Sequence, residues 1–196
     1  PALVDIGGGA GASIGGNNVD VTINGGNITA YANTHGAAIG CGNGEEAGTI
    51  AINGGVVTLY SEEKAACIGG GKEAKGGNVV ISGGEITALS KSSAPEAVGT
   101  GTGGTSHGTL TLEPNGVTLY VDAGTDANDA KPLNGSPFTA TASVIDEVKG
   151  HRYIRISTEG RRNEITNLDG EMIVHNIIVS EEATSSTNPC AIKGAT

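Results

Sequence analysis

Between residues 19 and 120 apolar and polar residues alternate one for one in short runs, and glycine separates the runs. Val21 and Ile23 flank Thr22, Ile50 and Ile52 flank Ala51, Val79 and Ile81 flank Val80, and Leu110 and Leu112 flank Thr111. After a corner the alternation resumes, with Ile28 and Ala30, Val57 and Leu59, Ile86 and Ala88, and Val117 and Leu119 on the apolar parity. A period of two, rich in β-branched residues, marks strands, and successive side chains of a strand point to opposite faces. The pattern predicts short strands whose apolar parity points inward. Helical periodicity is absent.

The runs recur. Gly25-Gly26, Gly54-Gly55 and Gly83-Gly84 stand 29 residues apart. Ala37-Ala38-Ile39-Gly40 is matched by Ala66-Cys67-Ile68-Gly69 and, in a degenerate fourth unit, by Glu96-Ala97-Val98-Gly99. A fixed period of this length means a stacked-repeat architecture. Three strands per coil of about 29 residues predict an all-β fold, a right-handed parallel β-helix with coils roughly 4.8 Å apart. The corner glycines are predicted at positive φ, which β-branched residues resist. Asn24, Asn53 and Ser82, just before them, are predicted to hydrogen-bond along the stack.

From residue 121 the repeat fades. We expect a solenoid over 1–121, a C-terminal β extension or cap over 122–180, and a polar tail over 181–196. Within the extension, 138–142 and 151–157 alternate as strands, 164–174 reads as a hairpin turning at Asp169-Gly170, and 177–179 as a further strand. The chain begins at Pro1 without Met, and an open coil end needs a cap that is not evident there, so the sequence reads as a mature chain or an excised fragment.

Composition narrows the function. With one Phe and no Trp, the core must be Ile, Val, Leu and Ala. The 34 glycines carry no G-X-Y period, which excludes collagen. A net charge of -10 argues against nucleic acid and anionic membrane surfaces. No apolar run approaches the ~18 residues of a spanning helix. An extracellular or cell-surface location is expected. Cys41, Cys67 and Cys190 have no metal spacing, and Cys41 and Cys67 fall three positions out of register on adjacent coils. They read as small buried side chains.

Candidate chemistry faces outward. Thr29, Thr58, Thr87 and Thr118 share one repeat position, and two residues later come Tyr31, Tyr60, Leu89 and Tyr120. Both columns have the outward parity, so hydroxyls and aromatic rings would share one flat face. Sugars stack C–H faces on aromatic rings and hydrogen-bond at their edges, which makes Thr29, Tyr31, Thr58, Tyr60, Thr87, Thr118 and Tyr120 a candidate glycan site. Alternatively, the tyrosines cover a strand-to-loop corner or dock against the C-terminal piece. Asp122, Asp126 and Asp129 space oxygens as a calcium loop would, without the EF-hand pattern. No acidic or basic residue recurs on a strand face beyond single Asp20, Glu85 and Glu113, so no catalytic pair is nominated.

The Ala-Ala-Ile-Gly…Thr-Ile-Ala-Ile-Asn-Gly-Gly-Val-Val-Thr unit, over residues 12–120, resembles glycine-rich β-helix repeats of large surface proteins of anaerobic gut bacteria. Gly135-Ser136-Pro137-Phe138-Thr139 and Gly150-His151-Arg152-Tyr153 also look like sequence that follows such repeats. The resemblance implies an adhesin-like or carbohydrate-binding role and carries over no catalytic residue. The expectation is a non-catalytic module binding glycans or host surfaces. The alternatives are a structural spacer or filament subunit that self-associates through its coil ends and, less favoured, a polysaccharide lyase or hydrolase.

Overall fold

The computed structural model describes residues 3–91 and 96–159, with 3–8 by backbone alone, and the backbone of two short strands at 165–166 and 172–174. The chain opens with β1 (Leu3–Gly8). Three coils follow. The first is β2 (Ile14–Gly15), β3 (Val21–Ile23) and β4 (Asn27–Ala32). The second is β5 (Ile39–Gly40), β6 (Thr49–Ile52) and β7 (Val56–Ser61). The third is β8 (Ile68–Gly69), β9 (Asn78–Ile81) and β10 (Glu85–Ser90). Equivalent strands pair in parallel without slippage: Val21 with Ile50 and then Val79, and Thr29 with Thr58 and then Thr87. The fold is a parallel β-solenoid, as the 29-residue period predicts.

The inward parity holds. Ile50, Ile52, Leu59, Ile68, Ile81, Ile86, Leu110 and Leu112 are fully buried, forming aliphatic ladders. Each such side chain contributes roughly 1.5–3 kcal/mol by leaving water. Ile14, Val21 and Ile28, in the first coil, pack on this core but are only partly buried. At the corners Gly26, Gly55 and Gly84 have φ of 97°, 97° and 99°. Asn53 Nδ2 donates to Asn24 Oδ1 at 2.8 Å, and Ser82 Oγ to Asn53 Oδ1 at 2.8 Å. The polar corner ladder is therefore present. At Gly40 the requirement is close approach: a Cβ there would overlap the Gly69 carbonyl of the next coil.

The fourth coil starts in register. Its first two strands, β11 (Val98–Gly99) and β12 (Thr109–Leu112), pair in parallel with β8 and β9. The third does not. After β13 (Tyr120–Gly124) come β14 (Lys131–Pro132), β15 (Ala142–Ser143), the four-residue α1 (Ile145–Val148) and β16 (Tyr153–Ser157). β16 enters the large sheet antiparallel, between β10 and β13, giving the order β1-β4-β7-β10-β16-β13-β14. Its Ile154 and Ile156 are fully buried and continue the Ile86 and Ala88 side of the core. Val117, on the apolar parity in sequence, is 38% exposed, because β13 begins only at Tyr120 and Leu119 bridges to Phe138 instead.

The solenoid is closed at this end. β15 pairs antiparallel with β12. In the sheet of β2, β5, β8 and β11 no strand among the described residues follows β11, and a side chain finishes it. In each earlier coil the residue after the repeat glycine donates its N–H to the next coil's glycine carbonyl: Gly16 to Gly40, Cys41 to Gly69, Gly70 to Gly99. Thr100, the last in the series, donates to Glu96 Oε1 at 2.7 Å. The same carboxylate meets His107 Nδ1 and accepts the Gly150 N–H at 3.3 Å. Glu96 takes the place of the next coil's glycine carbonyl, which satisfies an edge that would otherwise invite another strand.

Residues 1–159 form one compact unit, so β13 to β16 are built into the solenoid rather than apart from it. In the second unit, β17 (Ile165–Thr166) and β18 (Met172–Val174) pair antiparallel, as a hairpin requires. The turn at Asp169-Gly170, the strand expected at 177–179, the tail and Cys190 lie outside the described residues.

Candidate functional site

The outer face of the large sheet carries three rows of side chains across the coils. The middle row is Thr29, Thr58 and Thr87, all half-buried between neighbouring strands. The second is Tyr31, Tyr60 and Leu89. The third is Asn27, Val56 and Glu85, with Val56 47% exposed. The rows exist because three six-residue strands with the same parity pair without slippage.

Thr118 and Tyr120 do not join the columns. The insertion of β16 moves β13 one strand further from β10, and its register places Tyr120 opposite Ser157, in the row of Glu85 rather than of Leu89. Thr118 lies before β13 begins. The places expected for them are taken by β16: Arg155 pairs with Thr87, and Tyr153 with Leu89. The tyrosine row therefore reads Tyr31, Tyr60, Leu89, Tyr153, and Tyr153 is only 9% exposed. The alternating run at 151–157 was the available sequence signal, but nothing local says which strands it separates.

Tyr31 and Tyr60 stack ring on ring, with centroids 5.2 Å apart and planes 15° from parallel. Their facing surfaces are closed to a ligand. Beyond Thr87 the middle row becomes charged. Arg155 Nη2 lies 3.2 Å from Glu85 Oε2 and Nη1 3.8 Å from Asp122 Oδ2. Glu85 Oε1 accepts the Thr158 N–H at 3.0 Å.

The acidic loop is not assembled as one ligand set. Asp122 points onto the sheet face beside Arg155. Asp129 Oδ1 accepts the N–H groups of Thr125 at 2.7 Å and Asp126 at 2.9 Å. Asp126 Oδ1 accepts those of Asn128 at 2.7 Å and Asp129 at 3.3 Å. The backbone N–H of Asp126 and then the Thr125 hydroxyl hold the Asp129 carboxyl below its ordinary range. These two carboxylates shape a turn with the oxygens a calcium ion would use. Among the described residues no group of three or more His, Cys, Asp or Glu is placed to hold a metal ion.

Other candidates are structural. Cys41 and Cys67 are free and buried. Burial pushes the Cys67 thiol up to about 12 and raises that of Cys41. On another corner a polar groove of about 280 Å³ lies between the coil loops, lined in part by Asn17, Glu45, Glu46, Glu73 and Lys75. Its charges pair within the fold: Lys75 Nζ meets Glu46 Oε2 at 2.9 Å, and Glu45 Oε2 accepts the Gly42 N–H at 2.8 Å. No helix among the described residues is long and apolar enough to cross a membrane.

No protein family, no curated protein and no solved structure matches the chain.

Proposed function

We propose that the chain is a non-catalytic module of an extracellular or cell-surface protein that binds glycans or host surfaces along the outer face of its large sheet. The observation that carries this reading is the in-register face of Thr29, Thr58, Thr87, Tyr31 and Tyr60, with Val56 exposed beside it. It is a rigid, hydroxyl-bearing, partly apolar strip on an otherwise acidic protein, and such strips suit polyhydroxylated chains. The resemblance to adhesin-like repeats points the same way. The test is retention on a glycan array followed by Thr58→Ala with Tyr60→Ala. Retention lost with folding intact supports the reading; retention unchanged by the pair removes this face from it.

A second reading, a structural spacer, draws on the Tyr31–Tyr60 stack, which gives those rings a packing role. End-to-end filaments have less support, because β15 and Glu96 close the C-terminal coil to a further parallel strand. Sedimentation over a wide concentration range separates the two: a monomer throughout leaves spacer and binding module, and concentration-dependent growth restores the filament.

A further inference from the structure

The outer face also carries information about which glycans it can take, an inference that rests on the binding role proposed above. Of the nine outward positions that β4, β7 and β10 give to the three rows, only Glu85 is charged. The nearest cation in register is Arg155, opposite Thr87. Its guanidinium is not available to an anion, because Glu85 and Asp122 flank it on both sides. Two carboxylates hold this one guanidinium, on a chain whose net charge is -10. An acidic polymer brought here would meet Glu85 and Asp122 beside a guanidinium they already engage, which is how a surface rejects a ligand class.

The aromatic geometry adds a second restriction. The rings of Tyr31 and Tyr60 face each other along the coil axis, so a sugar cannot slide between them. What they present is a pair of phenolic edges beside the line of three threonines, at the strand spacing of about 4.8 Å. Such a pattern hydrogen-bonds a chain laid along the axis, with a Thr–Tyr rung in the first two coils and Thr87 alone in the third.

We propose that the face binds a neutral, extended glycan chain running along the coil axis by its edges, and that the Glu85–Arg155–Asp122 group excludes acidic chains. Recognition at ring edges makes the tyrosine hydroxyl, not the ring face, the contributing group.

The test is affinity electrophoresis of the full chain at low ionic strength through gels containing a neutral β-glucan, a neutral mannan or polygalacturonate. A neutral polymer retards the wild type and polygalacturonate does not. Tyr60→Phe, which keeps the stacked ring and removes the hydroxyl, weakens retardation about tenfold with melting unchanged. Glu85→Gln combined with Asp122→Asn frees the guanidinium and brings retardation by polygalacturonate. Should the double variant not fold, Glu85→Gln alone carries the same expectation at smaller size. Retardation of the wild type by polygalacturonate, lost in Thr58→Ala, would overturn the neutral class and leave the binding role standing. Full retention in Tyr60→Phe would overturn edge recognition. Folded charge variants that gain nothing would overturn the excluding role of the Arg155 group. A wild type retarded by no polymer overturns the binding role itself.

Discussion

Thr100 donates its N–H to the Glu96 carboxylate at 2.7 Å, just as Gly70, one coil earlier, donates to the Gly99 carbonyl at 2.8 Å. A side chain thus finishes a backbone ladder. The Glu96 side chain is 2% exposed and also serves His107 and Gly150. Removing it strands the buried Thr100 N–H and takes a partner from His107 and Gly150. Glu96→Ala is therefore expected to cost about 3 kcal/mol, and Glu96→Gln, which keeps one acceptor, clearly less. Urea unfolding of the two variants checks the order; equal stability would remove the capping role.

Gly40 and Gly44 give a paired prediction about glycine. Both have positive φ, 138° and 70°. A Cβ on Gly44 meets open space, whereas one on Gly40 meets the Gly69 carbonyl. Gly44→Ala should cost only roughly 1–2 kcal/mol of conformational strain. Gly40→Ala should prevent the second and third coils from closing and abolish the cooperative transition, which circular dichroism on heating will show.

The insertion of β16 can be tested through Ile156, which is fully buried and pairs with both Ile86 and Val121. Ile156→Ala should cost about 2–5 kcal/mol, the range for a core isoleucine. Hydrogen exchange in this variant should rise in β10 and β13 together while β4 stays protected. Exchange rising in β13 alone would contradict the strand order.

Cys67 is fully buried, and desolvation holds its thiol near 12 against an ordinary 9.0. A group whose folded pKa is raised favours folding below the unfolded value, and that contribution is lost as pH rises toward the folded one. Stability should therefore decline between about pH 9 and 12, and less so in Cys67→Ala. At neutral pH the native thiol should resist iodoacetamide and react on denaturation, as peptide mapping will read.

Much of the solenoid was legible because its rules are local. The parity of Ile50 and Ile52 needs only neighbours in sequence, and the Asn24–Asn53–Ser82 ladder needs only the period. The position of β16 was not legible. Its Ile154 and Ile156 alternate as Val57 and Leu59 do, but antiparallel insertion joins residues about seventy apart, such as Arg155 and Glu85. Sequence order favours the nearer partner and puts Thr118 and Tyr120 in the two columns that Arg155 and Tyr153 occupy. Glu96 left a readable trace: it breaks a repeat position held by Ala37 and Ala66. A carboxylate in an alanine position marks a coil with a different neighbour.

That substitution also separates length from termination. Among the described residues each coil before Glu96 meets the next through the same repeat-glycine carbonyl, and Glu96 ends that series. A 29-residue unit duplicated upstream would find both its neighbours ready and leave the terminus untouched. Gene duplication and deletion can therefore tune the reach of such an array in steps of one coil, while the end that halts it is inherited intact.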